Sequence, residues 1–221
     1  MTISDMTHFG QRAIRRVLGM VAGLIVGSVL LAGSLRAAAA PATLLVVGDS
    51  ISAEYGLTRD SGWVQLLRDR LKAQHLDYTV VNASISGDTT SNGLARLPPL
   101  LAQYHPRVVI IELGGNDGLR GMPVAAAKAN LVQMITLSKA AGARVVVTGI
   151  QMPPNYGAQY TGSFAAMYPE IAKSEHVALV PFLFQGFAED TDLFQGDRIH
   201  PSANAQPMLL ENVWGPLKPL L

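Results

Sequence analysis

Five short runs rich in β-branched residues recur along this chain with longer amphipathic stretches between them, and that alternation limits the possible folds most. The runs are TLLVVG (43–48), YTVVNAS (78–84), RVVIIEL (107–113), ARVVVTG (143–149) and VALVPF (177–182). Their nearly continuous apolar character is that of strands covered on both faces, as in a parallel sheet. Helices are predicted between them over 62–75, 91–104, 124–141 and 162–174, and after the last strand over 203–217. In the first, Val64, Leu67 and Leu71 share a face while Arg68, Asp69 and Lys72 share the opposite one. Pro98 and Pro99 fall inside the second, and Pro207 inside the last. A proline removes a backbone donor and crowds the preceding turn, which argues against a continuous helix at both places. Strand, helix and strand repeated in this way imply right-handed crossovers and a three-layer α/β sandwich around a five-stranded parallel sheet.

The first forty residues stand apart from that pattern. Arg12, Arg15 and Arg16 precede the apolar run VLGMVAGLIVGSVLLAGSL, and RAAAAPA follows it with small residues in A-x-A spacing. This is the layout of a secretory signal, so 1–40 is expected to be a signal peptide cleaved near 38–42, and 41–221 the mature domain. The expected location is the periplasm or the exterior. Arg36 just beyond the apolar run is what retained segments carry, and a retained leader would instead be a membrane anchor. Without residues 1–40 the chain holds 13 basic and 15 acidic side chains, so its basic character belongs to the leader. No Lys/Arg stripe points to nucleic acid, and no G-x-x-x-x-G-K loop points to nucleotide phosphates. There is no cysteine, which excludes thiol chemistry and thiolate metal sites. Beyond the leader His75, His105, His176 and His200 form no paired spacing, so no metal and no cofactor are expected.

The chemistry concentrates where strands end. The first strand runs into Gly48-Asp49-Ser50, placing a hydroxyl at the carboxyl edge of the sheet, where open α/β folds bind ligands. Taken alone, Ser50 is as readily a cap for the next turn. Near the carboxyl terminus GDRIHPS contains Asp197 and His200, three residues apart, so that a tight turn can aim both side chains one way. The carboxylate would then accept from one ring nitrogen and leave the other for the Ser50 proton. The third strand runs into Gly114-Gly115-Asn116-Asp117, whose Asn116 amide can donate to a developing oxyanion without charge. Gly87, in SGDTT after the second strand, can aim its N–H at the same place. Asp49 is expected to hold local backbone amides rather than react.

Together and in this order, GDSIS, SGDTT, GGND and DRIHP resemble the SGNH, or GDSL, family of serine hydrolases over essentially all of residues 43–215. Within it, LLVVGDSISAEYGL, VIIELGGNDGLRG and HPSANAQP look most like the small secreted thioesterase I, lysophospholipase L1 and arylesterase group. The resemblance implies a flavodoxin-like sheet, Ser50 as nucleophile, His200 as base and Asp197 as its orienting partner. It also implies an oxyanion hole made by the N–H groups of Ser50 and Gly87 and the side chain of Asn116. Ile51 stands where the family name has leucine, a change of little consequence for packing.

The expected reaction is hydrolysis of small-molecule acyl esters and thioesters through an acyl-enzyme, with lysophospholipids among the candidate substrates and a monomer as the working unit. Leu119, Met122, Met152, Pro153 and Tyr156 are expected to line an apolar acyl groove. A carbohydrate O-acetyl esterase would use the same reacting residues on a shorter acyl group. A noncatalytic flavodoxin-like binding module would not need Asp197 and His200 beside Ser50. An α/β-hydrolase lipase fits poorly, because the serine follows the first strand and lies in G-D-S-I-S rather than G-x-S-x-G.

Overall fold

Residues 41–221 are described by the computed structural model; the leader expected over 1–40 lies outside the described residues. Five strands form one parallel sheet: β1 (Ala42–Gly48), β2 (Tyr78–Asn82), β3 (Val108–Glu112), β4 (Arg144–Thr148) and β5 (Ala178–Val180). Their order is β2-β1-β3-β4-β5, the flavodoxin-like arrangement. β1 is therefore flanked on both sides, with Val46 opposite Asn82 of β2 and Ile110 of β3.

The period of two along the strands divides the core. Leu44 and Val46 of β1, with Val108, Ile110 and Val146, face one side; Leu45 and Val47, with Val109, Ile111, Val145 and Val147, face the other. The described residues form six α-helices, α1 (Trp63–Ala73), α2 (Thr90–Tyr104), the short α3 (Gly115–Leu119), α4 (Val124–Ala140), α5 (Ala158–Glu175) and α6 (Gln206–Leu217), and all but α3 cover these faces. α1 and α6 pack together on the first face through Val64, Leu67, Leu71, Leu209 and Val213. α2, α4 and α5 cover the second through Leu97, Leu131, Met134, Phe164 and Ile171. Among the described residues no helix is long and apolar enough to cross a membrane.

Two helices differ from the sequence-based expectation. α2 runs unbroken through Pro98 and Pro99. An interior proline costs roughly 3 kcal/mol, a penalty that a marginal surface helix would not survive. Here Leu97 and Leu101 are buried against the sheet, each worth about 1.5–3 kcal/mol. Thr89 closes a reciprocal capping box with Asn92 at the start. Packing and capping together offset the lost backbone bonds. In α6, Pro207 occupies the first turn, where its missing N–H would have had no helical partner anyway.

Candidate active site

Ser50 stands in the turn that leaves β1, at the point where the chain passes to β2 on one side while β3 lies on the other. Backbone bonds from Ala53 N–H to the Asp49 carbonyl and from Tyr55 N–H to the Ser50 carbonyl wind this turn tightly. Asp49 is buried beneath it. Its Oδ1 accepts the Ile51 N–H at 3.1 Å and its Oδ2 accepts Asn116 Nδ2 at 3.2 Å, so the carboxyl holds both the Ser50 turn and the loop after β3. Burial pushes the Asp49 carboxyl up to about 6, against the Ile51 hydrogen bond and the nearby His200, which pull it down. The sign of the linkage follows: this carboxyl favours the fold most below its ordinary value of 3.8, and that contribution is lost as pH rises through about 6.

Asp197 and His200 come to Ser50 from the opposite end of the chain. His200 Nε2 lies 2.8 Å from Ser50 Oγ, and His200 Nδ1 lies 2.6 Å from Asp197 Oδ2. The other Asp197 oxygen accepts the N–H groups of Ile199 and His200 at 2.9 and 3.0 Å. Partial burial would raise the Asp197 carboxyl, but the bonds from the His200 ring and the two amides outweigh it and hold it down at about 2. Arg198, between the two, takes a left-handed φ of 59° that turns the loop back on itself.

Gln195 fastens this loop to the turn that carries Ser50. Its N–H donates to the His200 carbonyl at 2.8 Å, while its side-chain amide donates to the carbonyls of Tyr55 at 2.8 Å and Pro201 at 3.2 Å. The Tyr55 ring, half exposed, lies over His200 with centroids 4.5 Å apart. Neither Tyr55 nor Gln195 is singled out by the sequence reading, since a tyrosine or glutamine in an irregular loop carries no periodic signal.

The expected oxyanion donors lie just after β1, β2 and β3, whose parallel order puts these segments at one edge of the sheet. Gly87 follows β2 with φ +85°, a conformation that L side chains rarely adopt. Among the described residues neither its N–H nor that of Ser50 donates to a protein acceptor. Arg96 braces the surrounding backbone: its Nε pairs with Asp88 at 2.7 Å, and its guanidinium donates to the carbonyls of Gly48 and Ala83. Asn116 Nδ2 donates to the Asp88 carbonyl at 3.0 Å as well as to Asp49. Both amide hydrogens are thus engaged, and binding an oxyanion requires one of these bonds to be shared or exchanged. Asp117 points away from the site and pins the start of α2, accepting the Thr90 N–H at 2.8 Å and hydroxyl at 2.6 Å. Gly114 brings this loop in at φ +120°, with Tyr168 Oη only 2.2 Å from where a Cβ would stand.

The expected groove residues fall into two classes. The Tyr156 hydroxyl donates to the Leu119 carbonyl at 2.9 Å and that of Tyr160 to the Met122 carbonyl at 2.8 Å, so the segment after α3 and the segment after β4 meet. Leu119, Met122 and Tyr156 are half-buried there and Pro153 is exposed. Met152 is different: it is buried in the core, and its sulfur packs over Gly118, where a Cβ would stand only 2.1 Å away. It supports the segment rather than presenting a wall, because its unbranched thioether fills the gap that the glycine leaves.

Residues 46–206 match the GDSL-like lipase/acylhydrolase family. The chain is 56% identical to esterase TesA of Pseudomonas aeruginosa over 183 residues, covering 83% of this chain and 91% of that one. It is 45% identical to the thioesterase 1/protease 1/lysophospholipase L1 of Escherichia coli over 186 residues, 84% of this chain and 88% of that one. The crystal structure of the psychrotrophic esterase EstA from Pseudoalteromonas, inhibited by monoethylphosphonate, superposes with a TM-score of 0.76 at 41% identity, covering 80% of this chain and 97% of that one. With its flavodoxin-like sheet, the four sequence blocks at its strand ends and relatives matched over most of their length, this chain belongs to the GDSL-like lipase/acylhydrolase family.

Proposed function

We propose that this protein is a serine esterase that hydrolyses acyl esters and thioesters through an acyl-enzyme formed on Ser50. The hydrogen-bonded sequence Ser50–His200–Asp197, at 2.8 and 2.6 Å, is the observation that carries the reading. With Asp197 ionised, His200 holds its proton on Nδ1 and offers the Nε2 lone pair to the Ser50 hydroxyl. Ser50 Oγ attacks the carbonyl carbon while His200 takes its proton. The tetrahedral oxyanion is received by the N–H groups of Ser50 and Gly87, joined by Asn116 as its bond to Asp88 is exchanged. One such donor is worth on the order of 3 kcal/mol of transition-state stabilisation. His200 then protonates the leaving alcohol or thiol, and water repeats the sequence to release the acid. The relatives named as esterase and thioesterase support this chemistry, and the phosphonate-inhibited esterase supports a reactive serine. All of the reacting groups come from one chain, so a monomer suffices.

The acyl chain is assigned to the surface formed by Leu119, Met122, Pro153 and Tyr156, with Met152 behind it. Each methylene buried there adds up to about 0.8 kcal/mol of binding until the surface is filled. The test is a series of acetyl, butyryl, octanoyl and palmitoyl p-nitrophenyl esters, each below its aggregation limit, with the matching acyl-CoAs. We expect kcat/KM to rise from acetyl to medium chains, which makes lysophospholipids reasonable natural substrates. A maximum at acetyl, with acetylated sugars preferred, would instead identify a carbohydrate esterase using the same Ser50.

Residues 1–40 are assigned as an export leader on their Arg-rich start, apolar run and small-residue end. The intact mass of the protein from its own host should correspond to a chain beginning near 39–43; a full-length, membrane-retained chain would make the leader an anchor.

A further inference from the structure

Beneath the nucleophile lies a second carboxyl that the proposed mechanism does not use. Glu112 ends β3 directly beside Gly48 in the sheet register, and no part of it reaches solvent. Its Oε2 accepts the Ser52 hydroxyl at 2.7 Å and, more weakly, the Asp49 N–H at 3.4 Å. These donors stand on either side of Ser50. Gly48 makes the arrangement possible: a Cβ there would lie 2.7 Å from Glu112 Oε2 and 2.8 Å from Ser52 Oγ, inside the distance that nonbonded atoms tolerate.

We propose that Glu112 is a positioning residue for the nucleophile, holding the Ser52 hydroxyl and the Asp49 N–H against the end of β3 so that Ser50 is presented to both His200 and the substrate. The inference rests on Ser50 being the nucleophile. Packing alone does not account for a glutamate here, because an apolar side chain would fill the space without burying a polar atom. Glu112 Oε1 has no hydrogen-bond partner, and leaving a buried polar atom unpaired is costly.

The surroundings also define its charge. The Asp49 carboxyl faces it from the nucleophile turn and the Tyr168 phenol lies nearby on α5. Among the described residues no lysine or arginine donates to it; Arg96 of α2, which reaches the Gly48 carbonyl, is committed to Asp88 and to backbone carbonyls. Burial and the repulsion of Asp49 both hold the Glu112 carboxyl well above its ordinary value, which favours its neutral form. A neutral amide should therefore replace it where a methyl group cannot.

The experiment compares Glu112→Ala, Glu112→Gln, Ser52→Ala and the Ser52→Ala/Glu112→Ala pair with the parent chain on p-nitrophenyl butyrate, with thermal unfolding of each. In Glu112→Ala we expect kcat to fall about tenfold to a hundredfold while KM moves less than about twofold, as for a misplaced reacting group. Glu112→Gln should recover most of that loss and keep the parental pH profile. Ser52→Ala should reproduce part of it, and the pair should be no worse than Glu112→Ala, because both changes break one linkage. Parental kcat in a folded Glu112→Ala, a Glu112→Gln as impaired as Glu112→Ala, or additive losses would each overturn the proposal. Should Glu112→Ala fail to fold, Ser52→Ala decides, since it removes one hydroxyl and parental kcat there is equally fatal. Ser50→Ala, assayed alongside, separates the two readings: turnover that survives it defeats the nucleophile assignment, whereas a silent Ser50→Ala beside a fully active Glu112→Ala defeats only the role of Glu112.

Discussion

Ser50→Ala should lower kcat by roughly 10⁴- to 10⁶-fold, because the nucleophile and its base work as one unit and the hole alone retains only a remnant of the rate. The side chain is partly buried, and its one protein partner on the reacting side is His200 Nε2 at 2.8 Å. Removing the hydroxyl therefore leaves the fold intact, and KM for a short ester should change little. His200 will then be free of its partner but still held by Asp197. The check is twofold: turnover by the variant after any contaminating esterase is excluded, and mass spectrometry after treatment with a phosphonate probe. The parent chain should gain one adduct on Ser50 and the variant none. Turnover within about tenfold of the parent would remove Ser50 from the reaction.

Asp197→Asn should cost roughly 10³- to 10⁴-fold in kcat with little loss of stability. The amide oxygen can still accept the Ile199 and His200 N–H groups, so the turn is kept. Its NH₂ would face His200 Nδ1, and a donor there forces the ring proton onto Nε2, the nitrogen that must accept from Ser50. The stability side has the opposite sign to that of Asp49. Asp197 is held down at about 2, so its contribution is present above its ordinary 3.8 and is lost as pH falls through about 2. With 38% of the Asp197 side chain exposed, that contribution is screened and is worth no more than about 1 kcal/mol. Since Asp197 stays ionised well into acid, the fall of kcat/KM on acidification should not follow its protonation. Rates and unfolding curves measured together on the variant check both halves. A large drop in unfolding temperature, or near-parental kcat, would contradict this account.

The strands were legible because a parallel strand buried on both faces leaves an apolar run that little else imitates, as VVIIE of β3 does. Their ends moved by a residue or two, and β5 shrank to Ala178–Val180, since an edge strand is set by its single neighbour. Ser50, Gly87 and Asn116 were legible as turn residues after strands that all point one way, and Asp197 and His200 as a pair three apart in a loop that reaches Ser50. What local pattern could not show was a balance made by distant residues. The prolines of α2 are tolerated because of Leu97 and Leu101 packing on the sheet; Met152 is drawn inward by Gly118 of α3; Asp117 is a brace for Thr90 because α2 begins beside it. Glu112 reads in sequence as the polar end of a strand, and only the sheet register sets it beside Gly48.

The bond between His200 and Ser50 joins residues 150 apart in sequence, and the loop carrying His200 is fastened to the nucleophile turn through Gln195 and Tyr55. β1 must already lie between β2 and β3 before that loop has anything to dock on. Contacts so distant in sequence carry a large loop-closure entropy, so during folding the sheet can form while Ser50 and His200 are still apart. Activity is therefore a late event in the life of each chain. A molecule emerging amino terminus first stays chemically silent until its carboxyl-terminal segment arrives, and the compartment in which it finishes folding is the compartment in which it begins to act.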